Sequence, residues 1–290
     1  MPEMPEVQGL AEFLGERAAG RTITRISVAA ISALRTYDPP IDALHGAEII
    51  GAARHGKFVD IRTTRDDTEL HFVFHLAKAG WLRWYEKVTT TLVKPGRSPI
   101  ALRVTLDDGS GFDLTEAGTK KSLAVYVVRD PDEVPGIARL GPDPLDPAFT
   151  EEVFAGLLDG RCMQIKGLLR DQSVIAGIGN AYSDEILHVA RMSPYAISGK
   201  IGPDEVARLY DALQSTLREA VATASGTPPA DLKDSKRSGM RVHGRRGQPC
   251  PVCGDTVRSV FFADRSLEYC PTCQTGGKPL ADRRLSRLLK

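Results

Sequence analysis

The apolar positions along the chain change period several times, and each change marks a different kind of element. From Pro5 to Ala19, residues Val7, Leu10, Ala11, Leu14 and Ala18 fall on one helical face and Gly20 supplies a stop, which predicts an amphipathic helix docked on a core. The period then shortens. Thr22 to Ala30 is β-branched and alternating, and similar runs follow at 57–63, 69–75, 81–87, 100–106 and 123–128. Asp107-Asp108-Gly109, between two of them, reads as a hairpin turn. Residues 1–130 are therefore expected to be mainly antiparallel β with one leading helix, as a sandwich or flattened barrel. Five prolines between Arg129 and Pro147 are too many for a regular element and predict a linker over 131–148. Beyond it Thr150 is placed to cap a short helix, and Val206, Leu209, Leu213, Leu217 and Val221 predict a long one over 203–224. Residues 149–237 read as a helical domain, 238–275 as a four-cysteine segment and 276–290 as a basic extension.

Composition narrows the setting. The hydrophobic and charged fractions are ordinary for a soluble globular protein, and no apolar run approaches a membrane span. The first residues lack the basic, apolar and small-residue regions of a secretory signal, so a bacterial or nuclear interior is expected and the five cysteines are read without disulfides. The net charge of +1 hides an asymmetry. From Asp231 to Lys290 there are 13 Lys or Arg against 6 Asp or Glu, a net of +7, which leaves −6 for the first 230 residues. A polyanion is sought first at the basic end.

Three stretches carry chemistry. Cys250-Pro-Val-Cys253 and Cys270-Pro-Thr-Cys273 are two C-x-x-C knuckles 16 residues apart, the spacing of a four-thiolate zinc ribbon. Two disulfides are the alternative, and Cys162, far from the others, reads as a buried small hydrophobe. Arg241, His243, Arg245, Arg246, Arg258 and Arg265 surround the ribbon, which suits a phosphate backbone. Met1-Pro2-Glu3-Met4-Pro5-Glu6 places an imino acid and two carboxylates at the tip of the chain. If Met1 is removed, Pro2 becomes a secondary amine that ionises near neutral pH and is nucleophilic without burial, with Glu3 beside it to move protons. The alternative is that Pro and Glu merely begin a helix. Gly177-Ile178-Gly179-Asn180 is a glycine turn feeding a helix that runs to about Ala190, either a phosphate site or a plain connection.

These stretches in this order, with Gly56-Lys57, His75-Leu76, the run from Leu140 to Leu145 and Ile165-Lys166, resemble the formamidopyrimidine-DNA glycosylase and endonuclease VIII family over essentially the whole chain. The resemblance implies a multidomain α+β fold: an N-terminal antiparallel β-sandwich with a leading helix, a helix-two-turn-helix domain and a C-terminal zinc-ribbon hairpin. DNA is then expected in the cleft between the domains. It implies a base-excision-repair glycosylase with abasic-site lyase activity, acting on damaged, chiefly oxidised, bases flipped out of the helix. Pro2 would attack C1′, Glu3 and Glu6 would move protons or orient the site, and Lys57 would hold a phosphate. His75, Lys78, Lys166, Gly179, Asn180 and Arg265 are carried over as DNA contacts. One structural Zn2+ on Cys250, Cys253, Cys270 and Cys273, damaged duplex or partly single-stranded DNA as partner, no membrane, a monomer and a bacterial, nucleoid-associated location complete the expectation.

The departures concern lesion choice. Lys78 in His75-Leu76-Ala77-Lys78 stands where the formamidopyrimidine branch has a Met, and Gly118 to Leu123 lacks the Arg and Phe of that branch's second void-filling loop. Residues 224–240 are short for a lesion-covering loop and read as mobile, and Gly276 to Lys290 is a helical hook or a disordered tail. Two other readings remain. One is a damage-recognition protein of the same fold with weak or lost excision, and the other a zinc-stabilised structural or RNA-contacting protein that kept only the scaffold.

Overall fold

In the computed structural model the chain begins with helix α1 (Met4–Ala18), whose first turn accepts Pro5 because the missing N–H is not needed there. The structure describes residues 1–89, 91, 93, 96, 98–117, 119–262 and 266–281. Val7, Leu10, Leu14 and Ala18 are buried along one face, as their spacing predicts. At roughly 1.5–3 kcal/mol for each large side chain removed from water, this stripe alone holds the helix on its sheets.

Those sheets are β1 (Ile23–Val28), β2 (Glu48–His55), β3 (Phe58–Arg65), β4 (Thr68–His75), β5 (Gly80–Tyr85), β6 (Ile100–Leu106), β7 (Gly111–Glu116) and β8 (Ala124–Val128). They form two four-stranded antiparallel layers, ordered β1-β6-β7-β5 and β2-β3-β4-β8. Ile61, Phe72, Phe74, Val104, Phe112, Leu114 and Val125 join the α1 stripe in one core, so this is the expected sandwich with its leading helix. The 106–111 connection is the expected hairpin, with Gly109 at φ +84°. Strands β2 and β7 are not among the predicted runs: β2 has a weak pattern, and β7 alternates only from Phe112 to Thr115.

The chain divides into two compact units, one of Met1–Leu140 with Val221–Ser235 and the other of Gly141–Ala220 with the chain from Lys236 onward. The proline-rich stretch is therefore shared between them. Val134 and Ile137 bury against Val73 and Val128 in the first unit, whereas Gly141 N–H donates to the Gln172 carbonyl in the second. Residues 221–235 are ordered rather than loose: Ala224 and Leu232 enter the sandwich core, and Trp81 Nε1 donates to the Pro229 carbonyl at 2.8 Å. A methyl added at Gly9 of α1 would meet the Ala224 carbonyl oxygen at 2.7 Å, which is how closely this segment approaches the helix.

The second unit contains α2 (Glu151–Leu158), α3 (Ile165–Arg170) and α4 (Asn180–Val189). Helix α5 (Pro203–Ala224) also starts there, and α6 (Leu232–Gly239) ends there. Thr150 caps α2 as expected, accepting from Val153 N–H. Strands β9 (Arg258–Phe261) and β10 (Ser266–Tyr269) and helix α7 (Pro271–Thr275) complete the cysteine segment. Cys162 is exposed in the α2–α3 connection, a correction to its reading as a core residue: the loop offers no apolar shell to bury it. None of the described helices is long and apolar enough to cross a membrane.

Candidate active site

Pro2, Glu3 and Glu6 are all buried at the start of α1. Glu3 is the N-cap, and the two acids form a reciprocal capping box in which Glu6 Oε2 accepts from Glu3 N–H at 2.8 Å and the Glu3 carboxylate accepts from the Glu6 N–H. This fixes the acids relative to each other and to Pro2. It also holds the Glu6 carboxylate against the N-terminal end of the helix. Pro2 stands in the wall of a groove of about 800 Å3 that Lys78, Trp81 and Thr115 also line.

Lys57 and His75 lie at neighbouring strand ends of the same unit. Gly56 and Lys57 form the two-residue turn between β2 and β3, with Gly56 at φ +56°. Phe58 pairs with His75 across β3 and β4, their rings 4.8 Å apart. Burial first, and then the Lys57 ammonium, push the His75 imidazole down to about pKa 4, so it is neutral at physiological pH. Its Nδ1 accepts from Ala77 N–H at 3.2 Å, within the turn that presents exposed Lys78. Gly80 closes that turn by donating to the Leu76 carbonyl, which approaches so closely that a Cβ would lie 2.0 Å from its oxygen.

In the second unit, Gly177 takes φ +84° and the turn through Gly179 delivers Asn180 to the first position of α4. The turn is braced by Gln172, whose Oε1 accepts from Gly177 N–H while its Nε2 donates to the Ile178 carbonyl. Asn180 Nδ2 donates to the Ser266 carbonyl, tying α4 to β10. Lys166, expected at the DNA backbone, is buried instead. Its ammonium donates to Asp184 Oδ1 at 2.6 Å, to Ser183 Oγ at 2.8 Å and to the Asn180 carbonyl at 3.1 Å. With its charge matched inside the unit, Lys166 secures the start of α4 rather than standing at the surface. Arg265 lies outside the described residues, as do Gly118 and the tail beyond Ala281.

Sequence reasoning missed the acids that organise this region. Glu185 accepts from the N–H groups of Arg241, Val242 and His243 at 2.7–2.9 Å, and Asp184 Oδ2 pairs with His243 Nδ1 at 2.8 Å. Burial raises the Glu185 pKa, opposed by its three backbone donors. These contacts anchor the chain leading into the cysteine ribbon. Within the ribbon Cys250 and Cys273 sulfurs are 3.9 Å apart and Cys253 and Cys270 sulfurs 3.4 Å apart, far beyond disulfide distance. All four sulfurs lie within 4.8 Å of one another. A tetrahedral zinc with sulfur at about 2.3 Å has S···S edges of about 3.8 Å, so the cluster fits that ion. Burial pushes the Cys270 thiol up to about 11 and Cys273 higher, and a divalent cation is what allows such crowded sulfurs to ionise.

The formamidopyrimidine-DNA glycosylase N-terminal domain matches residues 1–121, the H2TH domain of that protein matches 140–229, and the zinc finger found in FPG and IleRS matches 247–276. A formamidopyrimidine-DNA glycosylase of Symbiobacterium thermophilum is 34% identical over 98% of this chain and 93% of its own length. A formamidopyrimidine-DNA glycosylase-like protein of Mycobacterium tuberculosis is 61% identical over 52% of this chain and 94% of its own. The crystal structure of the MutM (Fpg) protein of Thermus thermophilus matches with a TM-score of 0.79 and 29% identity over 96% of this chain and 100% of that one. The three domains in order, the four-sulfur site for a structural zinc and a relative alike over nearly the whole length place this chain in the formamidopyrimidine-DNA glycosylase family of base-excision-repair DNA glycosylases.

Proposed function

We propose that this glycosylase is bifunctional and that its nucleophile is the imino nitrogen of Pro2, exposed when Met1 is removed. The nitrogen attacks C1′ of a flipped-out nucleotide, the glycosidic bond breaks and the damaged base leaves with a proton. Glu3 protonates the sugar ring oxygen, the sugar opens and an iminium forms. That cation acidifies the C2′ proton, so the 3′-phosphate leaves by β-elimination and the 5′-phosphate follows by δ-elimination. Lys57, Lys78, Gly179, Asn180 and Arg265 serve the DNA backbone, His75 serves by fixing the Lys78 turn, and oxidised bases are the substrate class. A monomer working on nucleoid DNA is the accompanying expectation.

The observation that carries this reading is the N-terminal turn, where Pro2 lines an open groove with two buried carboxylates locked behind it by their capping box. Borohydride trapping on DNA with an abasic site, using protein whose N-terminus is verified by mass, tests it. A covalent complex is expected from the Pro2 terminus and none from an acetylated terminus. Efficient trapping by protein that retains Met1 would overturn the assignment.

A second reading, damage recognition with weak excision, is favoured by one observation. The exposed turn beside Pro2 carries Lys78, a charge that prefers solvent or phosphate to the void left by a flipped base.

A further inference from the structure

The groove beside Pro2 is much larger than one base requires. Its volume of about 800 Å3 lies in the upper part of the range that encloses a drug-sized ligand. It follows β5, the last strand of its sheet, and is walled by residues 228–230 and by Phe13 and Arg17 of α1. Trp81 and Trp84, the only two tryptophans of the chain, both line it and both are half-buried. Their orientations are held. Trp81 donates to the Pro229 carbonyl, whereas Trp84 donates to Glu86 Oε1 at 3.2 Å and meets the Phe13 ring edge-on with centroids 5.5 Å apart. Because side chains alternate along a strand, Trp81, Arg83 and Tyr85 share one face, giving ring, cation and ring at steps of roughly 6.7 Å.

The charge of the groove points to its occupant. Arg17, Lys78, Arg83 and Lys233 are all exposed there, and the one carboxylate among the described lining residues, Glu86, sits 3.8 Å from Arg17. This basic lining contrasts with the net −6 of the first 230 residues. Aromatic faces interleaved with cations suit unpaired nucleotides, whose bases stack while their phosphates meet the charges. A duplex keeps its base faces inside the stack and would leave the rings unused.

We infer that the β5 groove is a track for single-stranded DNA that begins at Pro2, with Trp81 and Tyr85 as stacking surfaces and Arg17, Arg83 and Lys233 as phosphate contacts. It rests on the glycosylase reading for the choice of DNA as polyanion. The track makes unpaired strand beside the lesion a preferred substrate.

Because both tryptophans lie in the groove, tryptophan fluorescence excited at wavelengths that tyrosine does not absorb reports on it alone. The zinc-loaded full chain is titrated with an undamaged single-stranded octanucleotide and with the same sequence as duplex, while fluorescence anisotropy of a labelled strand reports total binding. Saturable tryptophan quenching by the single strand and little by the duplex is expected. Arg83→Glu, a surface change, should weaken single-strand binding at least fivefold and make its log–log salt slope shallower by about 0.7 for each phosphate that the variant no longer neutralises. Single-strand binding that leaves both tryptophans unchanged, equal quenching by duplex, or wild-type affinity in Arg83→Glu would overturn the inference. Borohydride trapping on a paired abasic-site duplex separates the two readings: trapping without quenching removes the track and keeps the lyase, and quenching without trapping does the opposite.

Discussion

Two pairs of buried acids organise this molecule, and they differ in the reach of their hydrogen bonds. Glu3 and Glu6 bond each other's backbone three residues apart at the start of α1. Asp184 and Glu185 of α4 bond Arg241, Val242 and His243, 56 to 59 residues away. The first pair forms as soon as one helical turn forms, so its carboxylates can serve chemistry without the tertiary structure depending on them. Apart from the bond from Lys166 to Asp184 Oδ1, the second pair meets these partners only once the ribbon segment has folded against α4. Its carboxylates join distant parts of one unit and are unsuited to a reaction that would draw them away.

Exchanging the acids should separate these roles. Glu3→Gln keeps an acceptor for the capping bond but removes the proton donor, so abasic-site cleavage should fall by roughly 10^2 to 10^4 with little change in melting temperature. Single-turnover rates and a thermal scan of one preparation check both halves. A large loss of stability with intact cleavage would place Glu3 with the structural acids instead.

Glu185→Ala should do the reverse. It strands three backbone donors, one of them fully buried, and at roughly 1–3 kcal/mol for an unmet buried group, discounted where water can reach, the loss is about 3 kcal/mol. Denaturant unfolding should show it, and a chromophoric chelator should draw zinc faster from the variant because the ribbon has lost its anchor. An unchanged midpoint and release rate would mean that Glu185 is only a buried spectator.

The same contrast of reach explains what the sequence discloses. Local signals carried through: the α1 stripe, the Thr150 cap, the 203–224 helix and the cysteine spacing all appear at the residues that predicted them. Strand β7 shows its alternation over only four residues, Phe112 to Thr115, too short to stand out. Its polar side chains are buried by long-range pairing that is not local information: Asp113 is 0% exposed and takes two bonds from Arg103 of β6, and Glu116 accepts from the N–H groups of Ser122 and Leu123. Strand β2 was hidden by Gly51, Ala52 and Ala53, which have little strand preference. Residues 224–240 read as mobile because their polarity is local information, while the Trp81 bond to Pro229 and the core contacts of Leu232 are not. For the metal site, the four cysteines were legible from chemistry alone, and the same chemistry singled out Pro2 and Glu3 as the proposed nucleophile and acid. Gln172 was not, since nothing marks it until Gly177 and Ile178 fold onto its amide. The run Trp81-Leu-Arg83-Trp84-Tyr85 did carry a signal, aromatic and basic residues interleaved on a strand, which its apolar character obscured.

A smaller effect probes the turn beside Pro2. His75 has its pKa depressed from 6.5 to about 4, so the fold favours its neutral form. This contribution is fully present above pH 6.5 and is lost as pH falls through the window from 6.5 to about 4. Burial is the larger cause and Lys57 the second, so Lys57→Met should raise the His75 pKa only part of the way. A pH titration of the His75 ring by NMR reads this directly. Full return to 6.5 would mean that the Lys57 charge, rather than burial, governs the ring.

The least effect is expected at Ala77, and it tests whether the turn is shaped by its own residues or imposed by its surroundings. Ala77 has φ +52°, in the left-handed region that costs a residue with a Cβ roughly 1 kcal/mol or more. It keeps that conformation because its N–H is held by His75 Nδ1 and because Gly80 closes onto the Leu76 carbonyl. Ala77→Gly removes the strain but adds freedom to the unfolded chain, an opposing effect of about 0.4–1 kcal/mol. Strain relief is the larger of the two, so the variant should be stabilised by a few tenths of a kcal/mol, read as a small rise in the denaturant midpoint at constant slope. Cleavage of abasic-site duplex should be unchanged if the neighbouring contacts define the turn. If Ala77→Gly instead slows cleavage while raising stability, then the strained alanine itself sets the position of Lys78.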